Sequence, residues 1–268
     1  MDNYTIAITT FSKRYNFISK LIPQIREHKD NKIFVVINGE KDGYFDEEYR
    51  VNILTLCMEN TNVFPIFYVE TRGLSKMWNT ALIASDIDNV LILNDDIEIL
   101  TLDIFEKIHD HILSDKYCGL TKINGSFSHF IVNKQLMENI GYFDERLLGI
   151  GEEDGDITYR LLKIGVHVGN IYVHGLINVV SDVRDDNIVA GVGKYSKFNR
   201  EFLYKKYTQD DSSQIKGLFD FPMVESLNND IQYPYEKFFR SNKRLLYKIW
   251  ETRIGEFSIW TMFYLFAL

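Results

Sequence analysis

The sequence predicts an α/β protein: a mixed, mostly parallel central sheet with flanking helices, followed by a C-terminal helical extension. Three observations predict it. Lys32–Ile37 (KIFVVI) reads as a buried strand, and Val90–Leu93 (VLIL) is continuously apolar, as expected of a strand covered on both faces. Strand-like and helix-like segments alternate through roughly the first 110 residues, the pattern of βαβ units. From Lys237 onward the composition turns basic and amphipathic, with Lys237, Arg240, Lys243, Arg244, Lys248 and Arg253 in close succession.

In chain order, Tyr4–Thr9 (YTIAIT) reads as the opening strand. Phe17–Glu27 reads as a helix with Phe17, Ile18, Leu21, Ile22 and Ile25 at helical spacing. Lys32–Ile37 is the second strand, closed by the turn signal Asn38-Gly39. Val63–Val69 is the third; its Pro65 suits a strand start or a sheet edge, because proline cannot donate to a ladder. Leu74–Ser85 follows as a helix and Val90–Leu93 as the fourth strand. Beyond Cys118 the rhythm changes to strand-like HFIVN (129–133), helix-like KQLMENIG (134–141), an acidic cluster at 152–156 and strand-like IYVHGLINVV (171–180). Ser181–Tyr195 is polar and bears glycines; it is either a lid that orders over a ligand or a surface loop.

The chain of 268 residues is long enough for one large α/β domain, or for a core domain with an appendage. A formal net charge of −8 argues against nucleic acid as the main partner, since phosphate binding needs a basic footprint. Cys57 and Cys118 show neither metal spacing nor a disulfide framework, which points to a reducing compartment. The opening MDNYTIAITT has no positive region followed by a long apolar run, so no signal peptide is expected. No apolar stretch approaches the roughly 20 residues that a spanning helix needs. The expected location is the cytoplasm.

Three constellations carry chemistry. Asn94, Asp95 and Asp96 end the fourth strand, where open α/β sheets bind ligands. They are either a solvated turn or hard oxygen ligands for a divalent cation shared with substrate phosphates. In GIGEEDGDITYRLLKIG (149–165), Ile157, Leu161 and Ile164 share a helical face, so Glu152, Glu153 and Asp154 stand at the helix N-terminus, stabilised by the dipole. Asp156 and Arg160 are spaced for an i,i+4 ion pair on the surface. Helix capping explains most of this cluster, but not a third consecutive acid; a carboxylate there is placed to serve as a general base facing a cleft. In RGLSKMWNTAL (72–82), Gly73 permits an unusual turn, and Lys76 and Asn79 lie on one helix face.

Together these segments resemble the family 2 glycosyltransferases with a GT-A fold, most closely the bacterial rhamnosyltransferase-like branch. The collinear order carries the resemblance: ITTFSKR, VINGEKD, RGLSKMWN, LILNDDIE, FIVNKQLMENIGYFDE, EEDGDITYRLLKIG and the closing NREFLYKKY, over roughly residues 4–207. The resemblance implies metal-dependent transfer of a sugar from a nucleoside diphosphate donor, with Mn2+ or Mg2+ as cofactor. It implies that Asp96 is the metal-binding Asp of a DXD-type motif in which Asn94 replaces the usual first Asp. It also implies that Asp154 of the Glu153-Asp154 pair is the catalytic base, and that His174 either completes the metal shell or is a core histidine. Thr9, Thr10, Phe11, Arg14, Asn38, Arg72, Gly73, Lys76, Asn79, Asn94 and Asp95 are the implied donor contacts. Asn38 stands where an Asp usually meets the nucleotide base.

The implied reaction is an inverting single displacement on a hydroxyl of a glycan or lipid-linked acceptor. Two rivals stay open. A sugar-1-phosphate nucleotidyltransferase would carry a glycine-rich loop after the first strand, and TTFSKRYNF has no glycine. A degenerate transferase would serve as a scaffold or glycan-binding subunit. The expected organisation is a catalytic domain over 1–207 and a helical extension over 208–268. In the extension, Phe239, Leu246, Trp250, Ile254, Phe257 and Trp260 oppose a stripe of Lys237, Arg240, Arg244 and Lys248. Such a helix either lies on an anionic membrane at the inner face of the cell or packs on the core or in a homodimer.

Overall fold

The continuously apolar strands are apolar because both of their faces are covered. In the fourth strand Leu91 and Leu93 point into one hydrophobic layer, Val90 and Ile92 into the other, and none is more than 1% exposed. The computed structural model describes residues 4–11, 14–39, 46–69, 71–101, 103–179, 195 and 198–207. The lid expected over 181–195 (Tyr195 excepted) and the extension expected over 208–268 lie outside the described residues.

The elements in chain order are β1 (Thr5–Phe11), α1 (Tyr15–Arg26), β2 (Ile33–Asn38), α2 (Glu47–Glu59), β3 (Val63–Phe67), α3 (Leu74–Ala84), β4 (Asn89–Asn94), β5 (Ile97–Ile99), α4 (Ile104–Leu113), β6 (Leu120–Ile123), β7 (Ser126–Asn133), α5 (Lys134–Ile140), α6 (Glu153–Lys163), β8 (Gly169–Ile171) and β9 (Leu176–Asn178). A further helical stretch covers 198–207. Seven strands form one sheet in the order β3-β2-β1-β4-β7-β6-β8, and β5 pairs with β9 in a separate ribbon. Within the large sheet only β7 runs against its neighbours. The sheet is mixed and mostly parallel, as predicted. The chain moves from β1 outward to β2 and β3, then returns to β4 on the other side of β1. The carboxyl ends of β1 and β4 therefore flank a topological switch point, where ligand crevices open.

The two layers divide the helices. Ile18, Leu21, Ile22 and Ile25 of α1, with Tyr49, Ile53 and Leu56 of α2 and Phe105 and Ile108 of α4, cover one face. Met77, Trp78 and Leu82 of α3, with Met137 of α5 and Ile157 and Leu161 of α6, cover the other. The helices α2 and α4 add to those read from periodicity; Asp46 caps α2 by accepting from the Tyr49 amide at 3.1 Å. The segment 171–180, expected as one strand, is two. Tyr172–Gly175 breaks it, with Gly175 at φ +81°, so β8, ending at Ile171, joins the large sheet and β9 the ribbon.

The Asp156–Arg160 pair forms at 2.8 Å, but it is buried rather than on the surface. It belongs to a network beneath the closing helical stretch. The Lys206 ammonium donates to Asp144 at 2.7 Å and to Asp156 at 2.6 Å, Arg146 grips Asp144 with two bonds, and the Tyr207 hydroxyl donates to Asp156. Burial raises the Asp144 carboxyl, but Arg146 and Lys206 outweigh it and hold the group at about 2. Asn199 brackets the loop before α6: it accepts from the Leu148 amide at 2.8 Å and donates to the Leu148 and Gly151 carbonyls at 2.9 and 2.7 Å.

Candidate active site

The strand ends gather the first acidic group. Thr9 and Asn94 are register partners across β1 and β4, and the Thr9 hydroxyl donates to Asn94 at 3.5 Å. One residue on, each chain turns to the α1 side. The Thr10 hydroxyl donates to Asp95 at 2.6 Å, and Arg14, at the start of α1, lies 2.8 Å from Asp95 and 3.2 Å from Asp96. Phe11 ends β1 and receives the Tyr49 hydroxyl on its carbonyl.

The two aspartates are unequal. Asp95 is 3% exposed and both of its oxygens are engaged, whereas Asp96 is 19% exposed and its Oδ1 has no hydrogen-bond partner. Burial pushes the Asp95 carboxyl up, to about 7, against the pull of Arg14 and Thr10. Asp95 anchors the arginine; Asp96 keeps an oxygen to offer.

Beside it stands a residue the sequence reading passed over. His129 of β7 is the register partner of Leu93 and 3% exposed, and neither ring nitrogen has a hydrogen-bond partner. Burial lowers its pKa to about 4, while the charge of Asp96 pulls the other way. His174, the histidine expected at a metal, is instead exposed on the turn between β8 and β9. Among the described residues no three His, Cys, Asp or Glu side chains gather as a metal-holding group. A cation shared with a diphosphate needs only one or two protein ligands, so Asp96 with its unpartnered oxygen fits that arrangement.

Several implied donor contacts prove to be internal. Asn38 is buried, and its amide brackets the Arg72 backbone, accepting from N–H at 2.6 Å and donating to the carbonyl at 2.7 Å. Asn79 is likewise buried, donating to the Phe143 carbonyl and to Glu145 and accepting from the Phe143 amide. Lys76 lies 3.2 Å from the same buried Glu145. Arg72 rests over the Tyr68 ring at 5.8 Å. Gly73 has an ordinary φ of −65°, so no unusual turn requires it; an added Cβ would lie 2.9 Å from the Leu147 carbonyl. Glycine there lets the loop before α6 close on α3, where the Leu74 amide donates to Gly149 at 2.8 Å.

That loop presents the second acidic group. Gly149, Gly151 and Glu152 all take positive φ, with the non-glycine Glu152 at +77°. Glu152 pairs with Arg200. Glu153 turns inward, where both oxygens accept from the Gly151 amide at 2.9 and 2.8 Å and burial raises its pKa to about 8. Asp154 faces out and is exposed, and protein crowded around its carboxyl still raises its pKa by desolvation. Two neighbouring acids thus have opposite situations, one locked and one accessible.

No family model and no curated protein matches the chain. Solved structures do, and they define the fold as that of GT-A type glycosyltransferases. A mannosyltransferase from Pyrobaculum calidifontis, in complex with GDP-Man and Mn2+, superposes with a TM-score of 0.56 at 14% identity over 68% of this chain; the match spans 58% of the mannosyltransferase. A glucosyl-3-phosphoglycerate synthase from Mycobacterium tuberculosis, in complex with Mn2+, UDP and glucosyl-3-phosphoglycerate, superposes with a TM-score of 0.56 at 12% identity, over 78% of this chain and 81% of the synthase. At this identity the likeness is one of fold.

Proposed function

We propose that the protein is a metal-dependent, inverting glycosyltransferase of the rhamnosyltransferase-like branch of family 2. It moves a hexosyl group from a nucleoside diphosphate donor to a hydroxyl of a glycan or lipid-linked acceptor. The observation that carries this reading is an acidic strand end at the switch point of a GT-A sheet, in which Asp95 is fully engaged and Asp96 keeps a buried oxygen without a partner. The Mn2+ and nucleotide in the two superposed structures support it.

Asp96 would hold Mn2+ or Mg2+, which when bound neutralises charge developing on the diphosphate. Thr10 and Arg14 fix Asp95, so the strand end keeps its shape as donor arrives. Asp154 takes the proton of the acceptor hydroxyl as that oxygen bonds to the anomeric carbon. The bond from that carbon to the diphosphate oxygen breaks on the opposite face and leaves with its electron pair, so the configuration inverts. A carboxyl with a raised pKa is a better proton acceptor, which suits Asp154 to the role. Glu153 positions it by holding Gly151 at the helix start.

A screen of nucleotide sugars for Mn2+-dependent release of nucleoside diphosphate tests the reading. Release is expected with at least one donor and is lost in D96A, whose fold is kept because no core contact is removed. Wild-type release by D96A in a chelator would overturn it.

We also propose that 208–268 forms a helical extension that holds the catalytic domain, 1–207, on an anionic membrane. Its basic stripe and Trp/Phe positions support this. The full chain should pellet with anionic vesicles and a chain ending at Tyr235 should not; equal pelleting would remove the extension from that role.

A further inference from the structure

Near the strand ends the fold buries the ligand-capable side chain of His129 and leaves it unsatisfied. A core histidine normally finds partners for its nitrogens, because a buried polar group left without one destabilises the fold. Both nitrogens of His129 lack a protein partner, and so does the facing acid's Oδ1.

The topology explains how they meet. Directly opposed residues on antiparallel strands send their side chains to the same face. His129 therefore shares the face of Leu93, and that face is the α1 side, where Arg14, Thr10 and Asp95 converge one turn further on. Asp96 is close enough for its charge to act on the His129 ring. Among the described residues two acids face a single guanidinium there, and the ring beside it is a neutral donor of electron pairs.

We propose that His129 is a second protein ligand of the divalent cation, acting with Asp96 and in the place that the family resemblance offers to His174. This rests on the reading of Asp96 as a metal ligand. The ligand pair of one carboxylate and one imidazole disfavours Mg2+, which takes oxygen ligands in a near-ideal octahedron, and favours a transition ion such as Mn2+. Arg14 keeps Asp95, its nearer partner, while Asp96 turns its unpartnered oxygen to the ion.

The test reads the metal directly. Mn2+ is titrated into the full chain with UDP and, separately, with GDP, followed by the loss of the free-ion electron paramagnetic resonance signal. Electron spin-echo modulation of the bound ion is then recorded. The expected result is a 14N modulation from imidazole that is replaced by a 15N pattern when only histidine is 15N-labelled. It disappears in H129Q and persists in H174Q. Mn2+ affinity in H129Q should fall at least about tenfold, with Mg2+ affinity little changed. Thermal unfolding of H129Q shows whether the variant folds; if it does not, the labelled wild-type protein and H174Q still decide. Bound Mn2+ with no histidine modulation, or modulation lost in H174Q, overturns the assignment to His129 and leaves Asp96 standing. Failure of the wild-type chain to bind Mn2+ with either nucleotide overturns both.

Discussion

Two regions of this molecule are built from the same parts. At the strand ends, one arginine lies between two aspartates, Asp95 and Asp96. Beneath the closing helical stretch, one lysine lies between two aspartates, Asp144 and Asp156. In the second cluster every carboxylate oxygen has a partner. Arg146, Arg160 and Tyr207 join it, so three bases meet two acids, and Lys206 is wholly buried. Among the described residues the first has one base for two acids, and Asp96 Oδ1 and the His129 ring stay unpartnered. A cluster of charges is therefore no sign of a site in itself. What separates the two is a carboxylate oxygen that the fold leaves without a donor, because such an oxygen gains when a cation arrives.

The comparison can be broken most sharply from the open side. Replacing Asp154 with Asn removes the proton acceptor and keeps its size, and transfer is expected to fall about 10²- to 10⁴-fold with donor binding and melting temperature unchanged. If D154N keeps the wild-type rate and E153Q is dead, the exposed acid is the wrong one. On the closed side the effect should move to stability. K206M leaves two buried carboxylates without their shared ammonium, and denaturant unfolding should show a loss of about 3–5 kcal/mol. An unfolding free energy within about 1 kcal/mol of wild type would place the network among surface charges.

A subtler difference lies in pH. Glu153 has a folded pKa near 8 against an ordinary 4.5, because burial favours its neutral form. The stability it contributes is full below 4.5 and is lost as pH rises through 8. Asp95 acts in the same sense between 3.8 and about 7. Unfolding free energy should therefore decline across this window, from Glu153 no more steeply than about 1.4 kcal/mol per pH unit. E153Q should flatten the decline; superimposable profiles would show that Glu153 is ionised in the fold. The smallest effect belongs to Lys205, an exposed side chain that pairs with Glu201 at 3.2 Å. K205M should cost less than about 1 kcal/mol. Adjacent lysines with such different costs would make the contrast within one turn of helix.

Much of this was legible in the chain. The apolar runs of β2 and β4 announced strands buried on both faces, and the alternation with helices announced the parallel sheet. Asp96 and Asp154 were legible as candidates because a strand end and a helix start are places the pattern itself marks. Other assignments failed for one reason. Asn38 and Asn79 looked like polar residues facing a ligand, and Asp156 with Arg160 like a surface pair, yet all are buried with partners 20 to 66 residues away. Of the two adjacent lysines in the closing NREFLYKKY, Lys205 is exposed and Lys206 is buried.

The sequence by itself determined the faces of the elements, because side-chain direction repeats with the period of the strand or helix and needs no knowledge of the neighbours. That sufficed for the fold class, the covered strands and the two acidic outcrops. Only the tertiary structure decided which polar groups are satisfied. His129 sits in an apolar strand and looks like a lone core histidine until the antiparallel register sets it opposite Leu93, at the end of β4. Glu153 and Asp154 are alike in the chain, and the loop with Gly149, Gly151 and Glu152 at positive φ buries one and exposes the other. Burial and pairing depend on groups distant in sequence, and a hydrogen bond or its absence is a property of the pair.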